Sequence, residues 1–410
     1  MKPNLVISCP ATSRSGYGDH SRDLIRSLIA MDLFTVQILD QRWGMCSRDA
    51  LSIRDIDIAT RILTKGMEEQ PDVWIQVTVP QEFEPIGKFN IGITAGIETT
   101  LCSPEWLMGV NKMDYVIVPS KHSKEVFMST TYDKKDKRTE KVISTLKCET
   151  KIDILFEGLD LEVFNKNPEA TSDIAIKEDF AYLFVGHWMH GDFGHDRKDV
   201  SGMVRTFLET FKNSSKRNQP ALILKTSSAT FSVIDRQQVL NKIETIKKSM
   251  DVPIDNLPNI YVIHGDMTQQ QLNELYNHTK VKAMITFTHG EGFGRPLLEF
   301  SVTGKPVIYS NWSGHVDFLS EHCIPLAGEL KPVHQSVLQE HMIVEGSHWF
   351  YTDYGYAIGA IKDVYTNYKK HLEKSRKQTK YVKDNFSLDK MTELFRYLVE
   401  LNVPTQPVKQ

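Results

Sequence analysis

The densest grouping of residues able to do chemistry is Thr286-Phe-Thr-His-Gly-Glu-Gly-Phe-Gly-Arg-Pro-Leu-Leu-Glu-Phe300. Gly290, Gly292 and Gly294 let the backbone pass close to a ligand, Pro296 suits a first helical turn, and residues from Leu297 on should be helical. Amide groups at such a helix start face an anion. Glu291 and Glu299 stand eight positions apart. Along a loop-then-helix path they would lie on the order of 10 Å from each other, at 1.5 Å rise per residue. That separation suits one elongated ligand, with a carboxylate gripping hydroxyls at each end and phosphates between. Taken alone, two glutamates are more often a solvated loop residue and a surface helix residue, so the surrounding elements must decide.

Those elements alternate. Leu5-Val-Ile-Ser-Cys9 reads as a buried strand, a glycine-bearing loop follows to Gly18, His20 to Met31 has helical spacing, and Phe34 to Leu39 is a second strand. This βαβ order demands a parallel sheet. It continues with strands at 73–77, 89–93, 115–118 and 151–156, then, after a loop-like hinge from Glu157 to Asp173, with strands at 182–185, 221–225, 259–263, 281–285 and 306–309. Helical patterns at 204–211 and 272–276 separate strands of the second series, and 356–381 and 388–401 also have helical spacing, while Pro404 and Pro407 mark a frayed tail. The expected architecture is α/β, with two Rossmann-like doubly wound parallel-sheet domains facing a cleft. Residues 1–165 form the first, 180–375 the second, and helices in 376–410 are expected to pack back on the first.

Composition narrows the function classes. The 410 residues carry 49 Lys+Arg against 52 Asp+Glu, a net charge of −3, which does not mark a dedicated nucleic-acid binder. Five cysteines without a C-x-x-C pair fit neither a disulfide framework nor a zinc ribbon, so a reducing compartment is the simpler expectation. The apolar run near the start is too short for a signal peptide, and no stretch approaches the ~20 apolar residues of a membrane span. A cytoplasmic protein is expected.

Glu291-Gly-Phe-Gly-Arg-Pro-Leu-Leu-Glu299, with Gly304-Lys-Pro-Val-Ile308 and Gly314-His-Val-Asp-Phe318, closely resembles the donor-site signature of retaining family 4 glycosyltransferases (glycosyl transferases group 1) of GT-B fold. Val118-Pro-Ser120, Gly158-Leu-Asp160 with Phe164, Phe184-Val-Gly186 followed by Arg197-Lys198, and His264-Gly-Asp266 extend the resemblance in order and spacing across roughly residues 4 to 320. The resemblance implies that Glu291 holds the sugar hydroxyls and Glu299 the ribose hydroxyls of a nucleotide sugar, such as a UDP- or GDP-sugar. The backbone of Gly292, Phe293, Gly294 and Arg295 would lie along the sugar and diphosphate. Gly186 and His187 fall in the phosphate element, where Lys198, aided by Arg197, would neutralise the departing diphosphate. The loop Ser13-Arg-Ser-Gly-Tyr-Gly18 follows the first strand as the acceptor-side loop of that family does. There Gly16 and Gly18 would admit the diphosphate or acceptor, or simply make a tight turn. Glu98, where many relatives place a histidine, would orient the acceptor hydroxyl or stabilise charge on the reacting sugar, or else cap the next helix. No metal and no cofactor beyond the nucleotide-sugar co-substrate are implied, and Asp55-Ile-Asp57 is read as a chance D-x-D match.

The chain also departs from the pattern. His187 replaces the usual arginine, Asp199 replaces the glycine after the lysine, and an unusually long segment, Trp188 to Asp196, precedes Arg197. Its histidines and aspartates invite a metal-site reading whose spacing fits no standard template, and a flexible lid over the donor is a sufficient account. The basic stretches 134–141 and 369–383 are most simply solvated faces. They also fit an anionic acceptor such as DNA, or peripheral contact with an anionic membrane. The acceptor hydroxyl is left open among glycan, lipid-linked sugar and hydroxylated DNA base. The alternatives are a GT-B-fold sugar-nucleotide epimerase or phosphorylase, the latter without a recognisable pyridoxal-phosphate lysine context, and a non-catalytic sugar-nucleotide sensor.

Overall fold

A computed structural model of the chain describes residues 2–170, 174–228 and 230–404. Residues 171–173 of the expected hinge and Pro407 of the expected tail lie outside these. The chain divides into two compact units. Unit 1 holds the residues up to Gly158, Gln339–Val344, and those from Phe386 on; unit 2 holds Leu159–Leu338 and Glu345–Asn385.

Unit 1 runs β1 (Asn4–Cys9), α1 (Gly16–Met31), β2 (Thr35–Asp40), α2 (Ile56–Ala59), β3 (Val73–Val77), β4 (Phe89–Ile93), α3 (Pro104–Val110), β5 (Tyr115–Val118), α4 (Lys121–Ser129), a hairpin of β6 (Thr131–Lys135) and β7 (Val142–Lys147), and β8 (Ile152–Ile154). Six strands form one parallel sheet in the order β2-β1-β3-β4-β5-β8. The continuous apolar runs of β3 and β5 are buried along their whole length, as strands covered on both faces must be.

Unit 2 continues with β9 (Ala181–Val185), α5 (Val200–Phe211), β10 (Ala221–Lys225), α6 (Val233–Lys248), β11 (Ile260–Ile263), α7 (Gln269–Asn277), β12 (Val281–Ile285), α8 (Arg295–Ser301), β13 (Val307–Ser310), β14 (Ile324–Leu326), the antiparallel pair β15 (Gly328–Pro332) and β16 (His348–Thr352), α9 (Tyr354–Thr366) and α10 (Tyr368–Asn385). Its sheet is parallel throughout, in the order β11-β10-β9-β12-β13-β14. Two parallel six-stranded sheets, each its own doubly wound α/β layer, match the expected fold class.

The tertiary structure revises several local expectations. The helical stretch 356–381 is two helices, because Asn367 leaves the helical region (φ −109°, ψ 33°) and its side-chain amide turns back to Asp363, 2.6 Å away. The tail also divides. α10 belongs to unit 2, where the buried Gln378 amide donates to the Phe318 carbonyl at 2.7 Å, while α11 (Leu388–Asn402) lays Met391, Phe395, Leu398 and Val399 into the core of unit 1 among Leu24, Ile25 and Leu28. The basic cluster at 134–141 is the tip of the β6–β7 hairpin. The cations of 369–383 all lie on the exposed side of α10, opposite buried His371, Ser375, Gln378 and Val382.

Phe395 is fully buried in that core. Phe395→Ala is expected to lower the unfolding free energy of unit 1 by about 3–5 kcal/mol, read from denaturant titration.

Among the described residues, no helix is long and apolar enough to cross a membrane.

Candidate active site

The sheet of unit 2 has its topological switch point between β9 and β12, since the chain proceeds from β9 to β10 and β11 on one side and builds β12 to β14 on the other. In open α/β sheets the crevice at the carboxyl ends of such strands takes ligands. Here that crevice is lined by Val185, Ile285, Thr286, Lys198, Glu291 and Gly294, among others. The glycine-threaded segment is therefore placed where chemistry is expected.

The segment is fixed by its neighbours. The Thr288 hydroxyl donates to Gly290 O at 3.0 Å, and Ser310 Oγ donates to Thr288 O at 2.6 Å. The His289 N–H donates to Arg197 O at 2.8 Å, joining the 286–294 loop to the cationic strap before α5. The His289 ring is buried, with Nδ1 2.7 Å from Phe350 O and Nε2 3.1 Å from Gly194 O, and burial presses its pKa down to about 4. A neutral ring donates from one nitrogen only, to one of these two carbonyls.

Glu291, Arg197 and Lys198 meet. The Lys198 ammonium pairs with Glu291 Oε1, and Arg197 NH1 lies 3.4 Å from Oε2 and 3.3 Å from Gly290 O. Burial raises the cost of charge on Glu291, but Lys198 and then Arg197 outweigh it and hold the carboxyl at about 2. The carboxylate is thus ionised at neutral pH. The backbone is anchored as well, Glu291 N–H donating to Ser313 Oγ at 2.9 Å and Gly314 N–H to Glu291 O at 2.9 Å.

Glu299 lies on α8 and is buried. Tyr276 donates to its Oε2 at 2.9 Å, and Arg295 Nε approaches Oε1 at 3.2 Å, so both groups orient the carboxylate. Phe293 packs on Phe318 with centroids 5.0 Å apart. Gly294 caps α8 at φ +98°, where an added Cβ would sit 2.9 Å from His315 Cβ. Gly294→Ala is expected to cost about 1–3 kcal/mol in stability, measured by thermal unfolding, through backbone strain plus that clash.

Gly186 passes beneath the Lys198 side chain, where a Cβ would lie 3.5 Å from Lys198 Cε. His187 Nδ1 is 3.1 Å from Ser227 Oγ; burial first, then Arg197, Lys198 and Lys225, push its pKa down. The 188–196 segment differs from the free lid expected. Trp188 and Asp196 are buried at its ends, Gly194 N–H donates to Ser201 Oγ at 2.9 Å, and the rings of His195 and His334 stack at 4.1 Å. These contacts anchor the segment to unit 2 at Trp188, Gly194, His195 and Asp196, while Met189, His190, Asp192 and Phe193 are exposed. Asp199 replaces glycine at a left-handed position (φ 46°) and is satisfied there by N–H of Gly202 at 3.1 Å and the Tyr354 hydroxyl at 2.8 Å.

Gly16, Gly18 and Glu98 belong to unit 1, and Glu291 to unit 2. Gly16 and Gly18 are not loop residues: α1 begins at Gly16, with Ser15 accepting the Gly18 N–H at 3.0 Å. Gly18 is demanded by close approach, since a Cβ there would meet Ser13 O at 2.1 Å. Glu98 does not cap α3, because Ser103 does. It lies in the loop after β4, partly buried, where it and Glu157 bear on Tyr17; burial chiefly pushes the Tyr17 hydroxyl up to about 12. Tyr17 stacks on Trp43 at 3.9 Å and accepts from the Ala95 N–H at 3.1 Å. Asp55 is spent on Arg26 at 2.6 Å and on the Ser52 N–H at 2.9 Å.

Sequence reasoning missed Ser313, His315, Tyr276 and Tyr17 as site residues. His315 is fully buried behind Gly294, with Nε2 2.6 Å from Ser310 O. His315 and Tyr17 lie inside segments that the sequence analysis singled out for their glycines, whereas Ser313 and Tyr276 come from stretches without a diagnostic spacing of their own.

The architecture has solved counterparts. Sucrose-phosphate synthase from Thermosynechococcus elongatus aligns with 98% of this chain and 100% of its own at 13% identity and a TM-score of 0.62. A glycosyltransferase from Rickettsia africae aligns over 99% and 100% at 11% identity and a TM-score of 0.63. The fold is that of GT-B glycosyltransferases. HepE from Anabaena, solved in complex with UDP-glucose, aligns over 97% and 100% at 10% identity and a TM-score of 0.57. No protein-family model matches the chain, and no curated protein does.

Proposed function

We propose that the chain is a retaining, metal-independent glycosyltransferase of family 4 type, moving a sugar from a nucleotide-sugar donor to an acceptor hydroxyl in the cytoplasm. The observation that carries this reading is the pairing of Glu291 with Lys198 and Arg197 at the switch point of the second sheet. One carboxylate and two cations in a buried crevice suit a ligand with sugar hydroxyls at one end and a diphosphate beside them. The GT-B fold, and a neighbour of that fold solved with UDP-glucose, support a UDP-sugar as the first donor to test.

In this reading Lys198 and Arg197 neutralise charge as the diphosphate departs, an interaction strengthened in the transition state. The acceptor hydroxyl attacks the anomeric carbon from the face that the phosphate leaves, and a phosphate oxygen takes its proton. No protein nucleophile and no cofactor are needed. Glu291 grips the sugar, Glu299 the ribose, and unit 1 receives the acceptor near Gly16, Gly18 and Glu98.

The test incubates the protein with UDP- and GDP-sugars and an acceptor panel of glycans, lipid-linked sugars and hydroxylated duplex DNA. Mass spectrometry follows the products, and NMR follows the anomeric configuration. Nucleoside diphosphate release coupled to a glycoside of unchanged configuration supports the reading. A new nucleotide sugar formed without acceptor, or tight donor binding without turnover across the panel, overturns it.

A further inference from the structure

We propose that Lys225, set beside His187, is a third cation of the diphosphate subsite in unit 2; this rests on the nucleotide-sugar reading above. Lys198 and Arg197 are both paired with Glu291, so the trio carries a single net positive charge. A sugar nucleotide carries one negative charge on each of two phosphates. The cluster therefore falls one cation short of neutralising its ligand, and charge in a partly desolvated crevice is costly unless it is matched.

Lys225 is placed to supply it. It ends β10, opposite Val185 of β9, and its carbonyl accepts the Gly186 N–H at 3.1 Å, so its backbone adjoins the turn that passes beneath Lys198. Its ammonium lies 5.4 Å from the centroid of the Phe231 ring, which holds the side chain in a defined direction. No hydrogen bond or ion pair to Lys225 Nζ exists among the described residues. Burial pulls the lysine below its usual pKa, and the charge of Asp266, in the next strand-end loop, opposes this in part. Arg197, Lys198 and Lys225 all act on the His187 imidazole as positive charges. With Nδ1 directed at Ser227, His187 retains Nε2 for a phosphate oxygen. A partly buried ammonium without a counter-ion raises the free energy of the empty protein, and a bound anion removes that cost.

The experiment measures binding to the full chain by calorimetry, using UDP with UMP and GDP with GMP as probes. For whichever base the wild type binds, Lys225→Met is expected to weaken diphosphate binding about tenfold, from loss of one charge-assisted contact. Monophosphate binding should weaken by less than about threefold, because the monophosphate offers fewer anionic contacts to lose. Lys225→Arg should restore most of the diphosphate affinity. Lys225→Gln serves as a second neutral variant should the Met variant fold poorly. A neutral variant that binds the diphosphate as tightly as wild type, or loses both ligands equally, overturns the proposal while leaving the donor reading intact. A wild type that binds neither UDP nor GDP overturns both.

Discussion

Lys198→Ala is expected to lower kcat for sugar transfer by about 10²–10³-fold, the effect of deleting one preorganised group that stabilises charge developing in a transition state. The fold should survive, with a lower melting temperature, because Glu291 loses one partner of a buried pair. Lys198 is held by Glu291 and crosses over Gly186, but the loop that carries it is anchored independently, through Arg197 O to the His289 N–H and through Asp199 to Gly202 and Tyr354. Circular dichroism and the melting temperature check this separately from turnover. Because Arg197 remains, binding of the nucleotide sugar should weaken less than kcat falls, so KM and kcat separate. Wild-type turnover in this variant would remove Lys198 from the mechanism.

Glu291→Gln is the second large effect, and its sign differs between ligands. The substitution raises the local net charge by one, leaving Lys198 and Arg197 without their common carboxylate. UDP without a sugar should then bind at least as tightly as to wild type. Transfer from the intact donor should fall by about 10²-fold, since the grip on the sugar is lost and small displacements of a positioned group have effects of that size. Breaking a buried ion pair also costs stability, about 3–5 kcal/mol, part of which saturating UDP should restore. The pH dependence follows the same logic. The folded carboxyl titrates at about 2, below the ordinary 4.5, so its stabilising contribution is fully present above about 4.5 and is lost as pH falls toward 2. In Glu291→Gln that acid-limb contribution should vanish from a melting-temperature profile. If both variants matched wild type in turnover and stability, this crevice would not be the donor site.

Much of the fold was legible because strand and helix periods are local properties. The buried strands at 73–77, 115–118, 181–185 and 221–225 declare themselves by runs of Val, Ile, Leu and aromatic residues, which a sheet covered on both faces requires. The hairpin at 131–147 was not legible. Its strands, Thr131–Lys135 and Val142–Lys147, are mostly exposed, with only Tyr132 and Leu146 packed on the core, so neither shows a buried face by alternation. The start of α1 was misplaced for a similar reason. Gly16 and Gly18 read as loop, yet Ser15 caps a helix that begins there, and the cap outweighs the low helical preference of glycine in a first turn.

By itself, the sequence determined the alternation of strands and helices, the glycine-threaded stretch between Gly290 and Gly294, and the residue types flanking it, because spacing along a chain and local conformational preference are properties of neighbouring residues. The tertiary structure alone decided that Lys198 and Arg197 close on Glu291 across more than ninety positions, that Tyr276 and Arg295 orient Glu299, that α11 joins unit 1 while α10 stays with unit 2, and that the 188–196 segment is anchored by buried Trp188 and Asp196. Those outcomes depend on which distant surfaces meet when the sheets form. Burial then selects among partners by charge and shape, a choice that no local pattern encodes.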